Sequence, residues 1–152
     1  MRKAAIVSAV ASIPLLFTVN IASAQQLGTA AEARAMLDKA AAELKKDETA
    51  ALDKFNKGEA GFKDRDLYVF CFETATGKFT AHPNAALKGT DVRALKDKSG
   101  AAMGEAIFVA AKDGTVTAVD YVFPKPGGTD PVPKQSFVTK VGSQGCGVGY
   151  YK

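Results

Sequence analysis

The chain has no tryptophan, a single histidine and only two cysteines, and after one apolar run at its N-terminus no second such run follows. Each shortage excludes a class of function. One His and scattered carboxylates are too few ligands for a protein metal site. Without Cys-x-x-Cys or Cys-x-x-Cys-His, thioredoxin-like redox chemistry and covalent haem attachment lack their residues, and no other cofactor motif is present. There is no Gly-x-Ser-x-Gly elbow, and His82 has no evident nucleophile or orienting group beside it, so an enzyme is not expected. Asp64 and Asp66, the densest acidic pair, read as solvated residues near a turn. No Lys/Arg cluster is interleaved with aromatics, which argues against nucleic acid as a partner. The lack of a second apolar run predicts no membrane insertion of the chain beyond its N-terminus.

What is present begins with a targeting signal. Arg2 and Lys3 precede an apolar stretch from Ala4 to Val19, followed by the small-x-small triplet Ala22-Ser23-Ala24, the form that signal peptidase reads. A membrane anchor needs about 20 consecutive apolar residues, whereas Pro14 and Asn20 interrupt this run. Residues 1–24 are therefore expected to be a signal peptide, which leaves residues 25–152 as one periplasmic domain large enough for a core. Losing Arg2 and Lys3 lowers the formal charge from +4 and leaves a nearly balanced protein.

The rest of the chain is organised around residues 66–83. Leu67 to Phe72 is an unbroken run of β-branched, aromatic and apolar residues, which predicts a strand buried on both faces. Thr74 to Gly77 supplies a turn, Lys78 to His82 a second strand, and Pro83 ends the pairing. Upstream, Thr29-Ala30-Ala31-Glu32 has capping-box spacing. Apolar residues at three- and four-residue steps from Ala33 to Phe55 predict one long helix that runs to about Asn56, with Gly58 as its stop. It either lies across the sheet or projects toward a partner. Downstream, Ala101 to Ala111 reads as a helix, and Val116 to Phe123, Gln135 to Val141 and Cys146 to Tyr151 read as three further strands. Pro124 to Pro133 reads as a stiff loop. Gly145, Gly147 and Gly149 weaken strand propensity, so they mark close approaches of the backbone to a neighbour or ligand. Cys71 and Cys146 are either a disulfide, as an even pair in an exported protein suggests, or two small buried hydrophobes.

The series DLYVF at 66–70, GKFTAHPN at 77–84, DYVFPKP at 120–126, PKQSFV at 133–138 and GVGYY at 147–151 resembles the single Cache domain, type two. Such domains are extracytoplasmic ligand-binding modules, commonly sensor parts of chemotaxis receptors and histidine kinases. The resemblance implies an α+β fold, with a long N-terminal helix packed on a PAS-like five-stranded antiparallel sheet with short helices. It implies a small ligand, often a short-chain carboxylate, between the sheet and the loops after its second and third strands. It also makes the first and last strands neighbours, so that Cys71 and Cys146 either face each other or, with a one-residue change of register, opposite sides. By ending at Lys152 without a further span or output domain, the chain looks like a freestanding periplasmic form, with a membrane receptor or another protein as partner through the long helix.

Residue chemistry supplies the site candidates. Tyr121 and Phe123 share a face by period two; Lys134 and His82 adjoin prolines, and an ammonium pairs with a carboxylate. Phe137 stands where many relatives carry Tyr, which takes away a hydroxyl donor and opens the alternative of a more apolar ligand. Arg93 offers a replacement charge. The positions near Ala118 and Gln144, where the family usually has Trp, carry none. A structural or protein-interaction module using the long helix is the competing reading, and it expects no open cavity on the sheet. The export signal gives the first prediction: N-terminal sequencing of exported protein will begin at Gln25, and an intact Met1 chain in the membrane fraction would refute it.

Overall fold

The computed structural model describes residues 26–152; the expected signal peptide, residues 1–24, lies outside them. Three α-helices, α1 (Ala30–Lys46), α2 (Glu48–Lys57) and α3 (Met103–Ala110), accompany six strands: β1 (Lys63–Asp64), β2 (Leu67–Glu73), β3 (Phe79–Ala81), β4 (Thr117–Pro124), β5 (Pro131–Val141) and β6 (Gln144–Tyr151). The sheet is antiparallel in the order β1-β2-β6-β5-β4, with β3 also paired to β2. This is the α+β, PAS-like arrangement. Its sixth strand is the two-residue β1, too short to be read from periodicity. Among the described residues no helix is long and apolar enough to cross a membrane.

The expected single long helix is two helices. Its start follows the sequence: the Thr29 hydroxyl accepts the Glu32 N–H at 3.2 Å and the Glu32 carboxylate accepts the Thr29 N–H at 2.7 Å. The break falls at Asp47, whose backbone is extended (φ −157°) and whose carboxylate accepts the Ala50 N–H at 3.0 Å. A short acidic side chain bonds nearby backbone N–H groups better than it continues a helix, so Asp47 ends α1 and caps α2. Gly58, in the left-handed region at φ 67°, stops α2. With the turn at Asp47, α1 lies across the sheet on Ala33, Met36, Leu37, Ala40 and Leu44 rather than projecting.

Because β2 is apolar on both faces, it joins two cores. Leu67, Val69 and Cys71 pack with α1 and α2, while Phe70 and Phe72 pack with α3 on the opposite face. Cys71 and Cys146 are directly opposed in register, their Cα atoms 4.1 Å apart and their sulfurs bonded. Pro131 and Pro133, expected in a loop, belong to β5. They lie beyond the last β5–β6 pair, Lys134 with Tyr151, where no ladder donor is needed from a proline on that side.

The glycines of β6 create the space on the α3 face. A Cβ on Gly145 would sit 2.4 Å from the Phe72 ring, and one on Gly147 2.4 Å from the Phe70 ring. At Gly149 it would meet Ser136 Oγ at 2.6 Å and Lys134 Cε at 2.8 Å. The strand therefore accepts its neighbours' side chains where its own would stand. Since Phe72 is fully buried, its ring has nowhere to retreat. Gly145→Ala should lower stability by about 1–3 kcal/mol, as overpacking a core does, measured by the urea midpoint; an unchanged midpoint would contradict this packing.

Candidate functional site

On the α3 face a cavity of about 270 Å³ opens between the sheet, the segment after β3 and the start of α3. Tyr68 and Phe70 of β2, Phe79 of β3, and Tyr121 and Phe123 of β4 form its sheet side, and Leu95, Met103 and Ile107 close it from above. His82, Asn84 and Lys96 add polar atoms, and among the described residues no carboxylate side chain borders it. A small volume with apolar walls and few polar groups suits a small organic molecule.

His82 enters the cavity because Pro83 and the following turn fold its ring back. Its Nδ1 accepts the Asn84 N–H at 2.9 Å, so Nε2 carries the proton in the neutral ring. The ring meets Tyr68 and Phe79 edge-on, each centroid 5.4 Å away. Burial, helped by the positive charge of Lys134, pushes His82 down to about 4. Tyr121 shares a hydrogen bond of 2.8 Å between its hydroxyl and that of Ser136, and burial raises its phenol above the usual range.

Lys134, paired with Tyr121 across β4 and β5, is 2 % exposed. Its stem passes over Gly149, and its ammonium lies 5.0 Å from the Tyr68 ring centroid, 5.5 Å from that of Phe123 and 4.6 Å from that of Tyr151. Three aromatic faces stabilise this largely buried cation. Among the described residues no carboxylate is within ion-pair distance of it. Burial pushes Lys134 down to about 8, against the pull of the Asp66 charge. Two of its three cage rings, Tyr68 and Phe123, are also walls of the cavity, so the ammonium stands directly behind that wall.

Thus four of the six candidates from sequence, Tyr121, Phe123, His82 and Lys134, come together. Phe137 does not. Strand parity puts Ser136 and Val138 on the cavity side, so Phe137 turns to the α1 face and stacks on Tyr150 at 5.8 Å. The missing hydroxyl at 137 therefore has no bearing on the cavity. Arg93 also lies elsewhere: it donates to the Asp91 carboxylate and to the Thr76 carbonyl at 2.9 Å, over the Phe108 ring. Sequence reasoning missed Tyr68, Phe70 and Lys96. The alternation of Tyr68 and Phe70 against Leu67 and Val69 was the available signal, masked because both faces of β2 are apolar. Among the described residues no group of three His, Cys, Asp or Glu is placed to hold a metal ion.

Stability should report the state of His82, the sole histidine. Between its ordinary 6.5 and about 4 in the fold, the unfolded chain binds the extra proton, so stability is present above pH 6.5 and declines as pH falls toward 4. The carboxylates held low, Glu32 and Glu43 at about 2 and Asp91, Asp97 and Asp120 also below their ordinary range, act mainly below about 4.5. From pH 6.5 to 4.5 the protein should lose on the order of 1–2 kcal/mol, and His82→Asn, which keeps an acceptor for Asn84, should remove that slope. Equal slopes in urea denaturation would contradict the assignment.

A family model described as the Cache domain matches residues 28–145. No curated protein matches the sequence. Among solved structures, a methyl-accepting chemotaxis protein from Vibrio parahaemolyticus aligns with a TM-score of 0.64 at 20% identity, over 80% of this chain and 86% of the other. The periplasmic sensor domain of a chemotaxis protein aligns at 0.59 with 27% identity, over 78% and 86%. A Cache chemosensory domain described for carboxylic acid recognition aligns at 0.53 with 22% identity, over 77% and 84%.

Proposed function

The chain belongs to the Cache domain family, and on that premise we propose that it is a periplasmic, non-catalytic sensing or scavenging module for a small organic acid. The cavity beside Lys134 carries this reading. Its walls are aromatic and aliphatic, its lining contains no carboxylate, and the ammonium behind Tyr68 and Phe123 has no counter-ion within reach among the described residues. A short carboxylate fits both features, with its apolar part among the rings and its charge drawn toward Lys134. The His82 Nε2–H and the Tyr121 hydroxyl are further donors. A structural neighbour recognises carboxylic acids, which agrees with this ligand class. An open cavity on the sheet speaks against a purely structural module, whose sheet face would be filled. The proposed exported state follows from the expected signal at residues 1–24, and the flank of α1 bearing Arg34, Asp38 and Lys45, which borders a groove with Asp113 and Lys140, is where a receptor or other protein partner would be met.

A thermal-shift screen of the mature protein against small organic acids, amines and amino acids should find its largest rise with short carboxylates, because a ligand bound only by the native state raises apparent stability. Lys134→Met keeps the apolar stem and removes the charge. Calorimetry should show carboxylate binding weakened by about 1.5–3 kcal/mol, the range of a charge-assisted hydrogen bond, with the fold retained. Affinity that survives this change, with loss on Phe123→Ala instead, would mean an apolar ligand. A broad screen without any stabilising compound would overturn the binding reading.

A further inference from the structure

Asn56 stands in the last turn of α2, where asparagine is a poor helix former, and both ends of its side-chain amide are engaged. Its Nδ2 donates to the Leu52 carbonyl at 2.9 Å and to the Thr80 carbonyl at 3.0 Å, and its Oδ1 accepts the His82 N–H at 3.4 Å. Two carbonyls and one N–H fix which end of the amide is the oxygen. Among the strands, β3 pairs with β2 alone, and the ladder stops at Ala81 opposite Cys71. From β3 and the residue after it Asn56 therefore takes a C=O and an N–H, the pair of groups that a further strand would take.

Helix α2 packs in the core of the opposite sheet face through Ala51 and Phe55, whereas His82 borders the cavity on the α3 face. The Asn56 amide joins the two sides around the end of the short β3. A second link starts from the other end of α2: the Glu48 carboxylate accepts the Gln144 Nε2–H at 3.0 Å, and the Gln144 Oε1 accepts the Thr80 hydroxyl at 2.7 Å. Thus β3 is held to α2 near both ends of the helix. His82 itself is gripped twice, its N–H by Asn56 and its ring Nδ1 by the Asn84 N–H at 2.9 Å. That leaves its Nε2–H without a partner among the described residues.

We propose that Asn56 is a positioning residue for the ligand site: from α2 it fixes the backbone at Thr80 and His82, and so holds the imidazole in the cavity with its Nε2–H free for the ligand. This rests on the carboxylate reading above and adds the residue that places one of its donors. Asn56 borders no part of the cavity and acts through His82 alone.

The test reads the ring without any ligand. His82 is the sole histidine, so its Hε1 proton gives the one histidine signal of untagged protein. The ring faces Tyr68 of β2, whose phenol burial pushes up to about 12, and Phe79 of β3. Burial, with the charge of Lys134 on β5 adding to it, brings His82 down to about 4. Lys96 borders the same cavity, and among the described residues no acidic side chain does. The midpoint of the Hε1 titration therefore reports where the ring stands. In Asn56→Ala, which suits a helix better, it should rise by about one pH unit or more, toward that of a solvated ring. Leu52→Ala, which loosens the packing of α2 and keeps the amide, should leave it in place. Equal midpoints in wild type and Asn56→Ala overturn the proposal, as does an equal rise in both variants, the mark of a generally loosened helix. One further measurement needs no variant to fold: the His82 backbone amide of the wild type should exchange with solvent about a hundredfold slower than an unstructured amide, and exchange at the unstructured rate overturns the proposal. Calorimetry with propanoate at pH 7 then addresses binding. Affinity should fall about tenfold in Asn56→Ala, as for one misplaced donor, and equal affinities overturn the role in the site. Propanoate that the wild type does not bind counts against the carboxylate reading, whereas the His82 midpoints decide independently whether Asn56 places the ring.

Discussion

The arrangement depends on one steric constraint, that β6 presents almost no side chains on the α3 face of the sheet. Gly145, Gly147 and Gly149 let the rings of Phe72 and Phe70 and the stem of Lys134 lie against the β6 backbone. Three glycines cost the strand conformational entropy and packing of its own. The pairs on either side, with β2 and β5, and the bonded cysteines Cys71 and Cys146 offset that weakness. With side chains on β6, the two Phe rings would be pushed toward α3 and the cavity beneath it would fill.

The same constraint produces the charge arrangement. Lys134 belongs to β5, yet its ammonium sits by Tyr68 of β2, a crossing over β6 that needs the open backbone at Gly149. Ordinarily a lysine on a buried face would turn its head to water. Here the Tyr68, Phe123 and Tyr151 rings surround the head, and the Asp66 charge opposes the effect of burial. An ammonium held this way keeps unused donors. Unpaired buried donors of this kind favour a molecule that satisfies them.

Much of the fold was legible in the sequence, because the relevant signals are local. The capping box at Thr29 and Glu32, the stop at Gly58, the strand from Leu67, and the close approaches marked by the glycines of β6 all depend on neighbours a few residues away. Where local signals competed, the reading failed. Asp47 carries a capping tendency that the surrounding helical periodicity hid, and Pro131 and Pro133 read as loop although β5 extends past β6 where their missing N–H groups cost nothing. Asp66 read as a solvated turn residue, since nothing in its immediate sequence reveals that Gly28, 38 positions earlier, closes over it.

The sequence by itself determined the class of domain, most of its strands and the two ends of its long helical region, because composition and periodicity act within one element. Only the tertiary structure decided which residues meet. Strand parity, set by pairing with β4 and β6, turned Phe137 away and Lys134 inward, and a shift of one residue would have exchanged them. The pairing of Arg93 with Asp91, the enclosure of Asp66 and the passage of Lys134 over Gly149 likewise arise from contacts between elements, whose geometry no local pattern encodes.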